Sequence, residues 1–187
     1  MRSDAERAKL QRFETQILVH LNELYRTALR LTGRGSDAQD LVQETCLRAF
    51  ESLDQLRHAG AAKVWLFSIL RSVFLRQAER AASQPALVSL DDIDAALLTP
   101  NEALQDWYEN FLPIRHTLRE EVREAVLKLP PPYREAVVLA HIGGFSYREM
   151  AEMLSVPIGT VMSRLFRGRR MLRTCLHEIR AGSEIAP

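Results

Sequence analysis

The sequence predicts an all-α protein: two small helical domains joined by a flexible acidic linker, the C-terminal one containing a helix-turn-helix. Three observations carry this. Apolar residues recur at helical spacing along most of the chain, and no stretch alternates as a strand does. Composition changes between residues 81 and 115, where prolines and acids gather and the periodicity fades. Near the C-terminus two short helical patterns flank Ser155-Val156-Pro157, and the second is heavily basic, the sequence form of a helix-turn-helix. The 187 residues then divide into 1–80, a linker at 81–115, and 116–187, sizes suited to two small cores.

Phe13, Ile17, Leu21, Leu24, Ala28 and Leu31 give one apolar face to a helix over residues 12–32, and Gly33 suits the position just past its end. Ser36 or Asp37 is placed to cap a second helix reaching about Leu53. Its inner face is Ala38, Leu41, Val42, Thr45, Ala49 and Leu53. Its outer face carries Asp40, Gln43, Glu44, Leu47, Arg48 and Glu51, which spacing alone reads as a solvated surface. Residues 55–62, with Gly60, form a loop. A third helix spans 63–80, with Trp65, Leu66, Ile69, Leu70, Val73 and Phe74 as its stripe and Arg71, Arg76 and Arg80 opposite. Three helices on short loops make the first domain a small bundle.

The linker holds six acids between residues 86 and 110 (Asp91, Asp92, Asp94, Glu102, Asp106 and Glu109) and no Lys or Arg. A short helix at 102–111 would set Trp107, Tyr108 and Phe111 on one face. In the second domain a helix at 117–129 ends at Pro130-Pro131-Pro132, and another at 133–142 ends at Gly143-Gly144. Ser146 with Glu149 three residues on is a capping-box pattern for a helix whose buried face is Met150, Ala151 and Leu154. Pro157 breaks it and suits the first turn of the next, where its missing N–H costs nothing. That last helix carries Arg164, Arg167, Arg169, Arg170 and Arg173. Val161 and Leu165 face its partner, and Gly159 allows the two helices to approach closely.

Net charge is +1, but its distribution is uneven: residues 160–180 hold six arginines against one acid, Glu178. A basic end and an acidic middle are the informative quantity. The charged N-terminus has no apolar core for a signal peptide, and no apolar run approaches a membrane span, so no membrane insertion and a cytoplasmic location are expected. Cys46 and Cys175 lie far apart without metal-ligand spacing, which fits a reducing compartment and no cofactor. His20, His58, His116, His141 and His177 are scattered, with no nucleophile or ligand constellation, so an enzyme is the least favoured class.

Three blocks in order carry a resemblance: DAQDLVQETCLRAFESL at 37–53, KVWLFSILRSVF at 63–74, and LPPPYREAVVLAHIGGFSYREMAEMLSVPIGTVMSRLFRGRRML at 129–172. They resemble an extracytoplasmic-function sigma factor of bacteria, a sigma-70-type protein with domains two and four only. The resemblance implies a factor that binds core RNA polymerase, carries it to promoter DNA and aids melting. Asp40, Gln43, Glu44 and Leu47 match the face that grips the coiled coil of the polymerase β′ clamp. The loop and third helix match the reader of the −10 element, with Lys63, Arg71 and Arg76 as phosphate contacts and Ser72 in the base-reading block. There a base turned out of the stack needs a protein pocket. Trp65, Leu66 and Ile69 read as core rather than as stacking platforms. The last helix matches the reader of the −35 element, with Thr160, Ser163, Arg164 and Arg167 towards base edges and phosphates, and Arg169, Arg170 and Arg173 towards backbone or solvent. An anti-sigma factor that clamps both domains is a further implied partner.

Two positions depart from the family's pattern. Ser72 stands where many members carry asparagine, and Met162 where many carry Lys or Arg. Both suit a sigma-like decoy that binds an anti-sigma factor without starting transcription, but the intact arginine set on the last helix does not. A helix-turn-helix repressor leaves the DLVQET helix and the acidic linker without a role.

Overall fold

A computed structural model of the protein describes residues 4–83 and 116–183, and every regular element among them is helical. The N-terminal group holds α1 (Asp4–Gln16), a 3₁₀ turn (Leu18–His20), α2 (Leu21–Thr32), α3 (Gly35–Glu51), two further 3₁₀ turns (Leu53–Gln55 and Ala59–Ala61) and α4 (Ala62–Ser83). The C-terminal group holds α5 (His116–Lys128), α6 (Pro131–His141), α7 (Tyr147–Leu154) and α8 (Ile158–Ser183). The acidic stretch, with the helix expected at 102–111, lies outside the described residues.

The single helix expected over 12–32 is two. The β-branched pair Ile17 and Val19 is stiff at χ1 and favours the helix less than its neighbours. The break turns Ile17 into the core at 1% exposure and leaves Val19 at 65%. Arg12 donates from Nη2 to the Leu56 carbonyl, and Phe13 meets Phe50 edge-on at 5.3 Å, so α1 docks across the end of α3. Gly33 ends α2 as its position predicts, at φ +81°, with its N–H donating to the Leu29 carbonyl at 2.9 Å. The cap expected from Ser36 or Asp37 is not there. Arg34 precedes α3, and the Ser36 hydroxyl donates to Asp37 Oδ1 instead.

The expected inner face of α3 is buried throughout: Ala38, Leu41, Val42, Thr45 and Ala49, continued by Leu53. Each such Leu contributes about 1.5–3 kcal/mol. On α4, Leu66, Leu70 and Val73 enter the core with them. A second α4 face, led by the fully buried Phe67, is also covered, and the helix packed against it is α7 of the other group.

In the C-terminal group α8 is the central element, packed by α5, α6 and α7. Val161 and Leu165 are buried at 0% and 1%, as expected. The glycine that permits close approach is Gly168, not Gly159. A Cβ on Gly168 would stand 2.8 Å from Val137 Cγ2 and 3.2 Å from the Tyr133 carbonyl, whereas one on Gly159 would meet nothing. The capping box is complete: Glu149 N–H donates to Ser146 Oγ at 3.3 Å, and Ser146 N–H donates to Glu149 Oε2 at 2.8 Å. Ser155 ends α7 in the left-handed region at φ 53°, and Pro157 opens α8, its carbonyl accepting from Thr160 and Val161 N–H.

The two groups share one continuous apolar core. Phe67 meets Phe145 edge-on at 4.9 Å. Arg134 on α6 donates to the Leu31 carbonyl at the end of α2 and to the Leu127 and Leu129 carbonyls at the end of α5. One guanidinium thereby serves the negative ends of two helix dipoles. Arg123 Nη1 donates to the Gly33 carbonyl at 3.0 Å, and the Leu127 methyls close over Gly33, where a Cβ would lie 2.9 Å from them.

Candidate nucleic-acid and polymerase interfaces

Asp40, Gln43, Glu44 and Leu47 recur at i, i+3, i+4 and i+7, so α3 brings them onto one ridge. Asp40 and Gln43 are exposed and Glu44 half-exposed. Leu47 stands 59% exposed between them. Glu44 Oε1 accepts from Arg48 Nε at 2.8 Å, which fixes the carboxylate one turn from Leu47. An exposed leucine rimmed by polar groups is the arrangement of a protein contact, with burial from the leucine and orientation from the charges.

The four residues assigned to the −10 element do not share one surface. Ser72 and Arg76 are exposed on α4, joined by a 3.4 Å contact from Arg76 Nη2 to Ser72 Oγ. Lys63 and Arg71 turn the other way, towards the C-terminal group. Lys63 Nζ lies 2.6 Å from Glu23 Oε2 and 5.1 Å from the centre of the Phe145 ring. Arg71 Nε donates to Glu135 Oε1 at 2.7 Å. Glu135 is only 8% exposed. Burial pushes its carboxyl above the usual carboxylate range, and the Arg71 charge pulls it part of the way back.

Beside Ser72, an open groove of about 510 Å³ runs between α4 and the end of α3. Trp65, Ser68, Ile69 and Ser72 line one side, and Arg48, Ser52 and Gln55 line much of the other. Of the three residues assigned to the core, Leu66 is buried, while Trp65 and Ile69 are half-exposed groove walls. A ring, two hydroxyls and a side-chain amide in one groove can stack a flat heterocycle and bond its edge.

On α8, Thr160, Ser163, Arg164 and Arg167 again share a face. Ser163 and Arg167 are exposed, and Thr160 and Arg164 are half-buried. Ser163 Oγ donates to the Thr160 carbonyl at 3.0 Å. The Arg164 charge reaches Glu135 and helps lower its carboxyl, so this arginine leans towards α6. Sequence reasoning missed the neighbouring flank. Phe166 is 71% exposed, Met162 53% and Tyr147 39%, and with Arg169, Arg170 and Arg173 they line a second groove of about 500 Å³. The signal was present, because Phe166 falls outside the Val161, Leu165, Gly168 period that points inward. Arg169 is less free than expected: its Nε donates to His141 Nε2 at 3.2 Å. Burial first, and then the Arg169 charge, hold the His141 pKa down. Among the described residues no group of His, Cys, Asp and Glu is placed to hold a metal ion, and no helix is long and apolar enough to cross a membrane.

A helical pair with a basic, outward-facing second helix, set beside a polar ridge on another group, defines a helix-turn-helix DNA-binding protein with a separate contact surface. A family model described as Sigma-70 region 2 matches residues 17–84, and one described as Sigma-70, region 4 matches residues 119–172. The chain is 33% identical to the ECF RNA polymerase sigma factor SigE of Mycolicibacterium smegmatis, across 91% of this chain and 64% of that protein's length. It is 32% identical to the ECF RNA polymerase sigma factor EcfG of Rhodopseudomonas palustris, across 86% of this chain and 83% of the relative. Among solved structures it resembles the sigma factor RpoE of Bartonella quintana in complex with the anti-sigma factor NepR, with a TM-score of 0.66 and 25% identity, covering 88% of this chain and 96% of that one. The fold is also that of CnrH in complex with the cytosolic domain of CnrY, with a TM-score of 0.61 and 23% identity over 90% of each chain. The chain belongs to the ECF RNA polymerase sigma factors of the sigma-70 type, which direct transcription initiation at promoters.

Proposed function

We propose that the α3 ridge of Asp40, Gln43, Glu44 and Leu47 is the contact with the core polymerase clamp, and that residues 1–80 and 116–187 act as the two working domains. The observation that carries this is the exposure of Leu47 on a polar ridge that neither helical group covers. The α4 groove takes a base turned out of the −10 element, with Trp65 as the stacking wall and Ser68, Gln55 and Ser72 as edge partners, and Arg76 beside it for phosphate. Replacing the family's frequent asparagine by Ser72 shortens the reach of that edge contact. The α8 face of Thr160, Ser163, Arg164 and Arg167 meets the −35 element in the major groove, where an arginine bonded to guanine adds about 1–3 kcal/mol of discrimination. Action is cytoplasmic and non-catalytic. An anti-sigma factor is a fitting regulator, since both solved neighbours are held by a partner of that kind or by a cytosolic domain.

Two variants test the division of labour. Leu47→Glu replaces burial by an unpaired charge and is expected to lower core-polymerase affinity at least about tenfold, the equivalent of about 1.4 kcal/mol, while leaving duplex binding unchanged. Arg167→Glu is expected to do the reverse. Run-off transcription with purified core enzyme then requires both residues. Equal loss of polymerase binding from both substitutions, or no product from any native promoter with the unaltered chain, overturns the reading and favours the decoy.

A further inference from the structure

We propose that His141 and Arg169 form a proton-operated DNA contact: the neutral imidazole holds the guanidinium against the end of α6, and protonation releases it to a phosphate of the promoter duplex. This rests on the reading of α8 as the −35 helix. Its independent support is the position and hydrogen bonding of the two side chains.

His141 is the last residue of α6. The backbone past it is fixed, because Ile142 and Gly143 N–H both donate to the Val138 carbonyl and Phe145 N–H donates to the Leu139 carbonyl. Arg169 reaches it from α8, with Nε donating to His141 Nε2 at 3.2 Å. A ring nitrogen that accepts carries no proton, so this pair exists only with the imidazole neutral and its proton on Nδ1. Once the ring is charged, both of its nitrogens are donors. The acceptor is gone, and two cations face each other. The arginine is the longer and more flexible partner, and it has somewhere to go. With Arg170 and Arg173 it lines the groove beside Met162 and Phe166.

The charges around the ring set the pH range. Burial and the Arg169 charge hold the His141 pKa below 6.5. From α7 the groove receives Tyr147, and α2 meets α6 two turns away, at Arg134. The negative end of the α6 dipole favours the charged ring, but burial and Arg169 outweigh it. A phosphate set against the imidazolium and the guanidinium offsets their repulsion and favours the charged form. DNA binding through this pair therefore takes up a proton, and by reciprocity a proton strengthens DNA binding. The gain is absent well above 6.5, grows as pH falls past that value and is complete below the lowered pKa of the free chain.

The test uses the full chain and a short fluorescein-labelled duplex of mixed sequence. Affinity is read by anisotropy at fixed ionic strength, at about pH 7.5 and about pH 5.5, either side of the histidine range. The parent chain is expected to bind about threefold to tenfold tighter at the lower pH, with a salt slope steeper by about one phosphate contact. His141→Gln keeps an acceptor for Arg169 but cannot titrate, so it should lose that gain. His141→Ala removes acceptor and charge together, frees Arg169 at every pH and should bind about threefold tighter than the parent at the higher pH. Adding Arg169→Ala to His141→Ala should abolish that increase. NMR titration of the His141 ring should show its pKa raised when the duplex is bound. If the acid gain survives in His141→Gln, or the ring titrates at the same pH with and without duplex, the contact is overturned. If the parent shows no acid gain while Arg167→Glu weakens duplex binding at both pH values, the contact is wrong and the reading of α8 stands. If Arg167→Glu leaves duplex binding unchanged, that reading falls and the contact falls with it.

Discussion

Gly168 and Gly159 lie nine residues apart on α8, and the structure assigns them opposite responses to the same substitution. A methyl at Gly168 would meet Val137 Cγ2 at 2.8 Å, the Tyr133 carbonyl at 3.2 Å and Tyr133 Cβ at 3.4 Å. The valine methyl can rotate away, but the carbonyl belongs to α6 and moves only with that helix. Overpacking of this kind costs about 1–3 kcal/mol. The better helix propensity of alanine returns about 1 kcal/mol, so Gly168→Ala should lose up to about 2 kcal/mol. At Gly159 a Cβ meets nothing, and the propensity gain of about 0.5–1 kcal/mol stands alone. In a chain of this size 1 kcal/mol moves Tm by about 2–4 °C. Thermal unfolding of the full chain followed by circular dichroism should therefore show Gly168→Ala melting up to about 8 °C lower and Gly159→Ala melting up to about 4 °C higher. Denaturant titration with an unchanged m value would show that both differences belong to the native state. A Gly168→Ala variant that melts above the parent would refute the packing argument, because the propensity gain only matches the smallest overpacking cost.

Two pH-dependent predictions follow from partners already named. Glu149 is held below its ordinary value of 4.5, first by the Ser146 hydroxyl and then by the Ser146 N–H. Its contribution to stability is complete above that value and is lost as pH falls through the lowered native pKa. Ser146→Ala should cost about 1 kcal/mol at neutral pH and flatten the acid limb of a Tm-versus-pH curve; an unchanged acid limb would show that the capping box does not set it. His141 is held below 6.5, so the unfolded chain takes up its proton first. Stability should fall as pH drops through 6.5 towards the native pKa, and protonation removes the acceptor that Arg169 uses. His141→Gln should remove that part of the fall, which NMR titration of the ring in the parent chain would place directly.

The sequence carried the helices and the inward faces because those depend on local period, caps and breakers. Ser146 with Glu149, Gly33 past α2 and the α3 apolar set are all local patterns, and each stands in the structure where its chemistry requires. What was not legible depends on elements far apart in the chain. Phe67 reads as one more apolar residue beside a stripe until α7 brings Phe145 to it. Gly168 reads as a tolerated helix glycine until α6 presses on it. Arg71 reads as a solvent-facing cation until Glu135, sixty-four residues on, takes its Nε. The break at Ile17 lies between these cases: β-branched residues lower helix propensity, but only the docking of α1 on α3 shows that the break is used. Met162 and Ser72 were visible as departures, and the structure sets each beside a groove, Met162 with Phe166 and Ser72 with Trp65.

The packing of the two groups divides the charged side chains unevenly. Leu47 and its ridge stay open, as does Arg167, while Arg71 and Lys63 are engaged. The contact between the groups combines the Arg71–Glu135 ion pair with the Phe67–Phe145 packing and the Arg134 and Arg123 hydrogen bonds to carbonyls at the end of α2. Replacing Glu135 alone by an apolar residue would leave Arg71 unpaired beside it and weaken the contact, whereas replacing both partners by well-packed apolar residues would be neutral or stabilising. The buried carboxylate therefore adds little to the stability of that contact, because the burial of an ion pair costs about as much as its attraction returns.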